Sequence, residues 1–269
     1  MDYRITVIMG IYNCADTLGE ALDSLYAQTY QNFKIVLCDD GSKDNTYAVA
    51  KEYADKHGNI ILIQNDRNRG LNYTLNHCLQ YADTEYIARM DGDDISLPTR
   101  FEKEINVLDQ HPEYAVVSCH MIHFDELGDF GGGDGEEGEP PLSKFNYGPP
   151  FCHAPCMMRT AVMKEVGGYS EDKWLLRVED YNLWTKVFAH GHKGYNLGEA
   201  LYKMRDDRNA TARRTKRSRL NNVYAHWLAY RSLNISLLWF LIDASKNLLL
   251  IITPTFIYDY LHRKKTRGN

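Results

Sequence analysis

The sequence predicts an α/β fold, a mainly parallel central sheet flanked by helices. Two observations carry the prediction. Strand-like apolar runs and amphipathic helical runs alternate from Ile5 to Ser118, and polar or acidic residues cluster where the strand runs end. Strand–helix–strand order at this spacing implies right-handed crossovers and a helix-covered sheet. Ligands of such sheets bind beyond the carboxyl ends of the strands.

Taken in order, Ile5–Met9 reads as a buried strand. Thr17-Leu-Gly-Glu20 has the form of a capping box, followed by Leu18, Ala21, Leu22 and Leu25 on one helical face. Phe33–Cys38 is the second strand, and Asp44 or Asn45 caps a helix running through Tyr53. Ile60–Ile63 is the third strand, and Leu71–Tyr81 the next helix. Tyr86–Met90 is the fourth strand, Pro98–Leu108 a helix with Pro98 near its first turn, and Tyr114–Ser118 the fifth strand. Glu126–Pro141, rich in glycine and acid and closed by two prolines, reads as a mobile surface loop. A short helix around Thr160–Val166, a Gly167-Gly168-Tyr169 turn and a helix opening at Val178 follow.

The polar clusters fall at three strand ends: Tyr12-Asn13, Asp39-Asp40, and Asp91 with Asp93 and Asp94. Three carboxylates within four residues repel one another unless a cation sits among them. Oxygen-only ligands favour a hard ion such as Mg²⁺ or Mn²⁺, which usually carries a phosphate-bearing substrate.

Of 269 residues 44% are hydrophobic, enough to bury a full core. No basic stretch leads into a long apolar run at the start, so no secretory signal is expected, and six scattered cysteines without a CxxC pair fit a reducing cytosol. From Lys203 onward 14 Lys/Arg stand against 4 Asp/Glu, a local +10, whereas residues 1–202 hold 17 against 32, a local −15. Such polarity points the tail toward an anionic surface, and its apolar content favours membrane over nucleic acid. Leu220, Val223, Tyr224, Trp227 and Leu228 mark an amphipathic helix after the Arg213–Arg219 cluster. Two apolar runs, Ile235–Ile242 and Leu248–Ile252, follow, and then Pro254 and the basic His262–Arg267. A single spanning helix would bury Asp243 and Lys246 at about 2.5–3.5 kcal/mol each. An in-plane anchor is therefore expected, with packing on the domain or a homodimer contact as the other readings.

With these residues placed, the chain resembles family 2 glycosyltransferases of the GT-A type, the inverting kind of bacterial polysaccharide assembly. The matching pieces come in the family's order: Ile11-Tyr-Asn13, Gln28-Thr-Tyr30, Asp39-Asp-Gly-Ser42 and Asn68-Arg-Gly70. Then come Tyr86–Pro98 with its Asp91-Gly-Asp93, His153-Ala-Pro155, Gly167-Gly-Tyr169 and Glu179-Asp-Tyr-Asn-Leu-Trp184. The resemblance covers roughly residues 3–205 and implies a catalytic domain over 1–205, with a nucleotide-sugar half (1–110) and an acceptor half (111–205). Residues 206–269 would form the membrane-association tail.

The resemblance implies a UDP-sugar donor, a glycan or lipid-linked glycan acceptor, and a cytoplasmic site at the inner membrane face. It makes Asp93 the direct ligand of Mn²⁺ or Mg²⁺, with Asp91 nearer the ribose or sharing the ion. Tyr12 lies against the uracil, and Asp39 or Asp40 accepts its imide N–H. Arg67 and Arg89 become pyrophosphate contacts, with surface salt bridges as the alternative. Asp180 becomes the general base that an attacking hydroxyl needs, Glu179 orients the loop or the sugar, and His153 and Trp184 fall on the acceptor side. One departure stands out. Where the family has Tyr-Arg-x-His, this chain reads Tyr202-Lys-Met-Arg205, and an arginine can neutralise diphosphate but not ligate a metal. A sugar-nucleotide pyrophosphorylase would want a Gly-rich basic signature after strand one, which Ile11–Asp16 lacks, and a catalytically inactive surface-binding protein would have no need of Asp93 or Asp180.

Overall fold

The computed structural model describes residues 2–206 and 215–252. Strand β1 (Ile5–Ile11) runs parallel between β2 (Phe33–Asp39) and β4 (Tyr86–Arg89), and β3 (Ile60–Gln64) lies parallel outside β2. The crossovers are α1 (Ala15–Tyr26), α2 (Thr46–Lys56) and α3 (Leu71–Leu79), and α4 (Arg100–Gln110) follows β4 and the short β5 (Ile95–Ser96). Every residue of β2 is buried, as expected of a strand covered on both faces. The alternation of side chains along β1 divides the core in two. Ile5, Val7, Met9 and Ile11 pack with Leu18, Leu22, Phe101 and Ile105 on one face. Ile8 joins Val36, Leu75 and Trp184 on the other.

The second half is mixed rather than mainly parallel. β8 (Met157–Arg159) inserts between β4 and β6 (Tyr114–Asp125), antiparallel to both. It is reached from β6 without a crossover α-helix, so the chain comes back from the opposite end. β9 (Lys193–Arg205) lies parallel to β6 and antiparallel to β5. α5 (Thr160–Glu165) and α6 (Glu179–Ala189) cover this half.

Several expected boundaries move for identifiable reasons. α1 opens at Ala15, so the capping box at Thr17 does not form. Thr17 lies inside the helix and donates to the Gly92 carbonyl at 3.1 Å, while Asp44 accepts the Ala15 N–H at 3.2 Å. The helix start is thus capped from another loop. α4 begins after Pro98, whose carbonyl instead accepts the Thr29 N–H at 2.8 Å. Glu126–Pro141 is not a free loop. Gly128–Gly132 returns as β7 along β6, and the Gly135 and Gly138 amides donate to the Gly198 and Asn196 carbonyls of β9 at 2.8 and 2.9 Å.

The tail helices are α7 (Lys216–Leu233) and α8 (Leu237–Ile252). α7 buries Asn221, Ala225, His226, Ala229 and Leu233; of the expected apolar stripe, Leu220 and Trp227 stay exposed while Tyr224 and Leu228 pack partly against the core. Small residues let α7 approach α6 closely, and the His226 ring stacks on Tyr181 with 4.5 Å between centroids. The two expected apolar runs form one helix, because Asp243 and Asn247 of the polar break between them face inward. Asp243 pairs with His226 at 2.9 Å, and Asn247 lies 3.4 Å from Asn222. No helix among the described residues is long and apolar enough to cross a membrane, while Leu237, Leu238, Leu241, Ile242, Leu248 and Leu249 stay exposed on α8. Arg213, Arg214, Pro254 and the basic run His262–Arg267 lie outside the described residues.

Candidate active site

The donor side is built where β1, β2, β3 and β4 end. Asn13 sits in the left-handed region (φ 49°), its N–H donating to Ser42 Oγ at 3.0 Å while its side chain accepts the Lys43 N–H at 2.9 Å. This ties the first strand end to the second. Gly41 has φ +69°, and a Cβ there would lie 2.7 Å from the Arg67 carbonyl carbon, so only glycine lets the two loops meet. They enclose a cleft of about 600 Å³ lined by Tyr12, Ser42, Gln64, Asn65, Arg67 and neighbours. Tyr12 also lines the adjoining cleft of about 360 Å³ that holds Asp44, Asp91, Asp93 and Arg205. The sequence reading missed Gln64 and Asn65, although the switch from Ile60–Ile63 to polar residues signals a fourth strand end.

Asp40 accepts from Asn65 Nδ2, the Arg69 N–H and the Gly70 N–H, each at 2.8 Å. Its carboxylate is committed to holding the 65–70 loop, which corrects its assignment as a base-reading acceptor. Asp39 is buried and accepts from Gln64 Nε2 at 2.8 Å and more loosely from the Ser42 N–H at 3.3 Å. Both its partners line that cleft, so Asp39 holds them from behind. Arg67 stands at the rim, 3.7 Å from Asp66.

Arg89 does not reach outward as a pyrophosphate contact would. It is 4% exposed and its Nη2 lies 2.5 Å from Asp91. Burial raises the carboxyls of Glu179 and Asp180, and the Arg89 charge opposes that rise in both, so it is a buried counter-charge felt by two acidic clusters. Arg100 holds this strand from below. It donates to the Arg89 carbonyl at 2.9 Å, and is neutralised by fully buried Glu104 at 3.2 Å.

In the Asp91-Gly92-Asp93 turn a Cβ on Gly92 would meet Cys14 Sγ at 2.9 Å and Ile11 Cγ2 at 3.0 Å, so glycine lets the turn lie against β1. The Asp91 N–H donates to the Tyr202 hydroxyl at 3.2 Å. Asp94 is buried and accepts the Arg205 N–H at 2.8 Å, fastening the turn to β9. Arg205 also donates to the Asp93 carbonyl at 2.9 Å and pairs with Glu20, which leaves it beside the cleft but already engaged. Desolvation, and then the charge of Asp91, push the Asp93 carboxyl up from its ordinary range. Desolvation with both neighbouring charges carries Asp94 to about 8. A divalent cation fits this donor set, because it would relieve a carboxylate crowding at Asp93 that the Arg205 and Arg89 charges only partly offset. No group of three His, Cys, Asp or Glu side chains among the described residues is arranged as a ready-made cage. An ion here would take Asp93 and Asp91 and complete its shell from ligand oxygens and water.

On the acceptor side, Glu179 and Asp180 open α6, where the helix dipole favours negative charge. Burial raises both carboxyls, and the Tyr181 N–H donates to Asp180 at 2.7 Å. Asp180 lines a cleft of about 370 Å³ that includes His153, Cys152 and Asn196. It also lines a larger cleft of about 930 Å³ walled by α7 and α8. His153 hydrogen-bonds with the Tyr169 hydroxyl at 2.8 Å, and burial, followed by the Arg89 charge, holds its pKa well below the usual range. It is therefore a neutral ring at the cleft wall. Trp184 is fully buried, edge-on to Phe151 and His153 at 5.4 and 6.0 Å, so it cannot stack on a sugar. Its place in the acceptor site is corrected to that of a core residue backing His153.

The Glycosyl transferase family 2 model matches residues 6–167. The chain is 40% identical over 263 residues to the putative glycosyltransferase EpsE of Bacillus subtilis (strain 168), covering 97% of this chain and 94% of that one. It is 29% identical over 194 residues to an Escherichia coli protein, UDP-Glc:alpha-D-GlcNAc-diphosphoundecaprenol beta-1,3-glucosyltransferase WfaP, covering 71% and 73% respectively. Among solved structures, S. aureus TarS (residues 1–349) in complex with UDP-GlcNAc superimposes with a TM-score of 0.72 at 20% identity, over 91% of this chain and 71% of that one.

Proposed function

The chain belongs to glycosyl transferase family 2, and on that premise we propose that it is an inverting enzyme that moves a sugar from a UDP-sugar to a hydroxyl of a lipid-linked glycan. One observation carries the reading. The Asp91/Asp93 turn is paired with buried Arg89, whose charge also reaches the Glu179/Asp180 helix start, and Asp93 and Asp180 open into separate clefts. A donor diphosphate on one side and an acceptor hydroxyl on the other would meet between them.

In this reading the uracil lies against Tyr12 in the cleft whose lining Asp39 holds, with Arg67 at the rim. Asp93 and Asp91 hold the divalent cation that family 2 enzymes typically use, which when bound supplies charge neutralisation at the diphosphate. Asp180 takes the acceptor's proton as its oxygen bonds to the anomeric carbon. The bond from that carbon to the diphosphate breaks, and its electron pair leaves on UDP. Glu179 orients the sugar or the loop, and the neutral His153 borders the acceptor. Direct displacement of an α-linked donor gives a β-linked product. The E. coli relative, whose acceptor carries diphosphoundecaprenol, supports the lipid-linked class. Incubation with a panel of labelled nucleotide sugars tests the donor assignment. Slow release of UDP from UDP-sugars alone is expected, and equal hydrolysis of GDP- or CMP-sugars would overturn it.

The exposed face of α8 and the basic tail support docking on an anionic membrane from its cytoplasmic side. α7 shares its core with α6, so deleting the tail would strip the catalytic domain and confuse the test. Leu238→Glu with Leu248→Glu, both on the exposed face, leaves that packing intact. The intact chain should float with anionic liposomes, less so as salt rises, since each nearby Lys or Arg contributes about 1 kcal/mol that ions screen. The double variant should stay in solution, and unchanged flotation of it would refute this docking face.

A further inference from the structure

We propose that α7 and α8 form a subsite for the diphosphate and first isoprene units of the acceptor lipid, so that the tail completes the active site as well as anchoring it. The inference rests on the lipid-linked acceptor read above and says where that lipid binds.

Two neighbouring cavities carry it. The larger, about 930 Å³, is lined by Asp180, Asp206 and Asp243 together with Arg177, Arg219 and Lys246, and Asp243 is already paired with His226. The second, about 540 Å³, is an apolar groove on α8 lined by Leu241, Ile242, Leu249 and Leu250. Lys246 and Leu250 line both, so a polar cavity that begins at the proposed base runs into an apolar groove across one helix. Exposed Lys246 stands at the junction of the two cavities, where a cation would meet a phosphate group that leads into hydrocarbon. The occupant that presents a sugar hydroxyl, then a diphosphate, then a branched hydrocarbon in that order is a polyisoprenyl-diphosphate glycan. A phospholipid headgroup would have no reason to extend as far as Asp180.

The tail is fixed to the catalytic residues rather than resting near them. The ring after Asp180 is Tyr181, on which His226 of α7 stacks, and His226 is paired to Asp243 of α8. The loop that carries Arg177 is clamped by the same helix. Asn221 Nδ2 donates to the Leu176 carbonyl at 2.9 Å, and the Arg217 guanidinium lies 3.5 Å from the centre of the Trp174 ring. Arg177 itself is held at φ 66°, a left-handed conformation that is uncommon outside glycine. The wall that carries Arg177 is thus positioned by packing between the tail and the α6 entrance.

Farnesyl diphosphate is the probe, titrated calorimetrically into the full-length chain after the donor site has been saturated with UDP and Mn²⁺. Binding is expected, weakened about tenfold or more by Lys246→Ala, which removes one charge-assisted contact. Leu241→Ser should weaken farnesyl diphosphate while leaving inorganic pyrophosphate unaffected. The UDP titration that precedes each run separates the two readings. Absence of UDP binding would sink the proposed function. Normal UDP binding with farnesyl diphosphate affinity unmoved by Lys246→Ala would overturn this subsite alone. Equal competition by phosphatidylglycerol micelles would overturn it too, reducing the cavity to a general anionic surface.

Discussion

Asp180→Asn is expected to lower kcat by about 10²–10⁴ while UDP-sugar affinity stays within a few fold, the range for loss of a general base. The asparagine keeps the side-chain oxygen that accepts the Tyr181 N–H, so the start of α6 should remain folded. Near-normal turnover in a folded variant would remove Asp180 from the reaction. Glu179→Gln should be milder, and the reverse order would exchange the two roles. The pH profile gives a second readout. Burial raises the Asp180 carboxyl, and the base acts only when ionised. The acid limb of kcat should therefore lie above the range of an exposed aspartate, with activity lost as pH falls through it and full above it.

Asp93→Asn carries the second large effect. It removes a charge from a turn where Asp91 is already offset by Arg89, so the variant has the weaker hold on a cation and on a cation-bound diphosphate. Turnover should fall by at least about 10², comparable to removing one preorganised group that stabilises developing charge. UDP binding in Mn²⁺ should weaken toward its value in EDTA. Full activity of the unmodified protein in excess EDTA would contradict the metal assignment outright.

The parallel half of the fold was legible because each strand there is a continuous apolar run punctuated by helix-period segments. β8 and β5 were not, being three and two residues long, and β7 was hidden by the glycines of Gly128–Gly132. β9 reads poorly because its sides are unevenly covered and its pairing with β6 shifts register three times. In the site, the acidic strand ends and the Glu179-Asp180 helix start stood out, since carboxylates there are costly without a task. The division of labour within Asp39-Asp40 and the burial of Arg89 and Trp184 depend on loops brought from elsewhere in the chain. The tail shows the limit of periodicity most directly. Its apolar stripe marked an amphipathic helix but not the face that packs, because a helix that must sit tightly on α6 buries Ala225 and Ala229 and turns Trp227 outward.

The central claim is that the acceptor oxygen attacks from the Asp180 side as the diphosphate leaves on the Asp93 side. It is tested most directly by the anomer first formed at the sugar. With water in the acceptor's place and enzyme concentrated enough to outrun mutarotation, proton NMR of an α-linked UDP-sugar reaction should show the β-anomer of the free sugar first. Initial appearance of the α-anomer would contradict a single displacement across the two clefts.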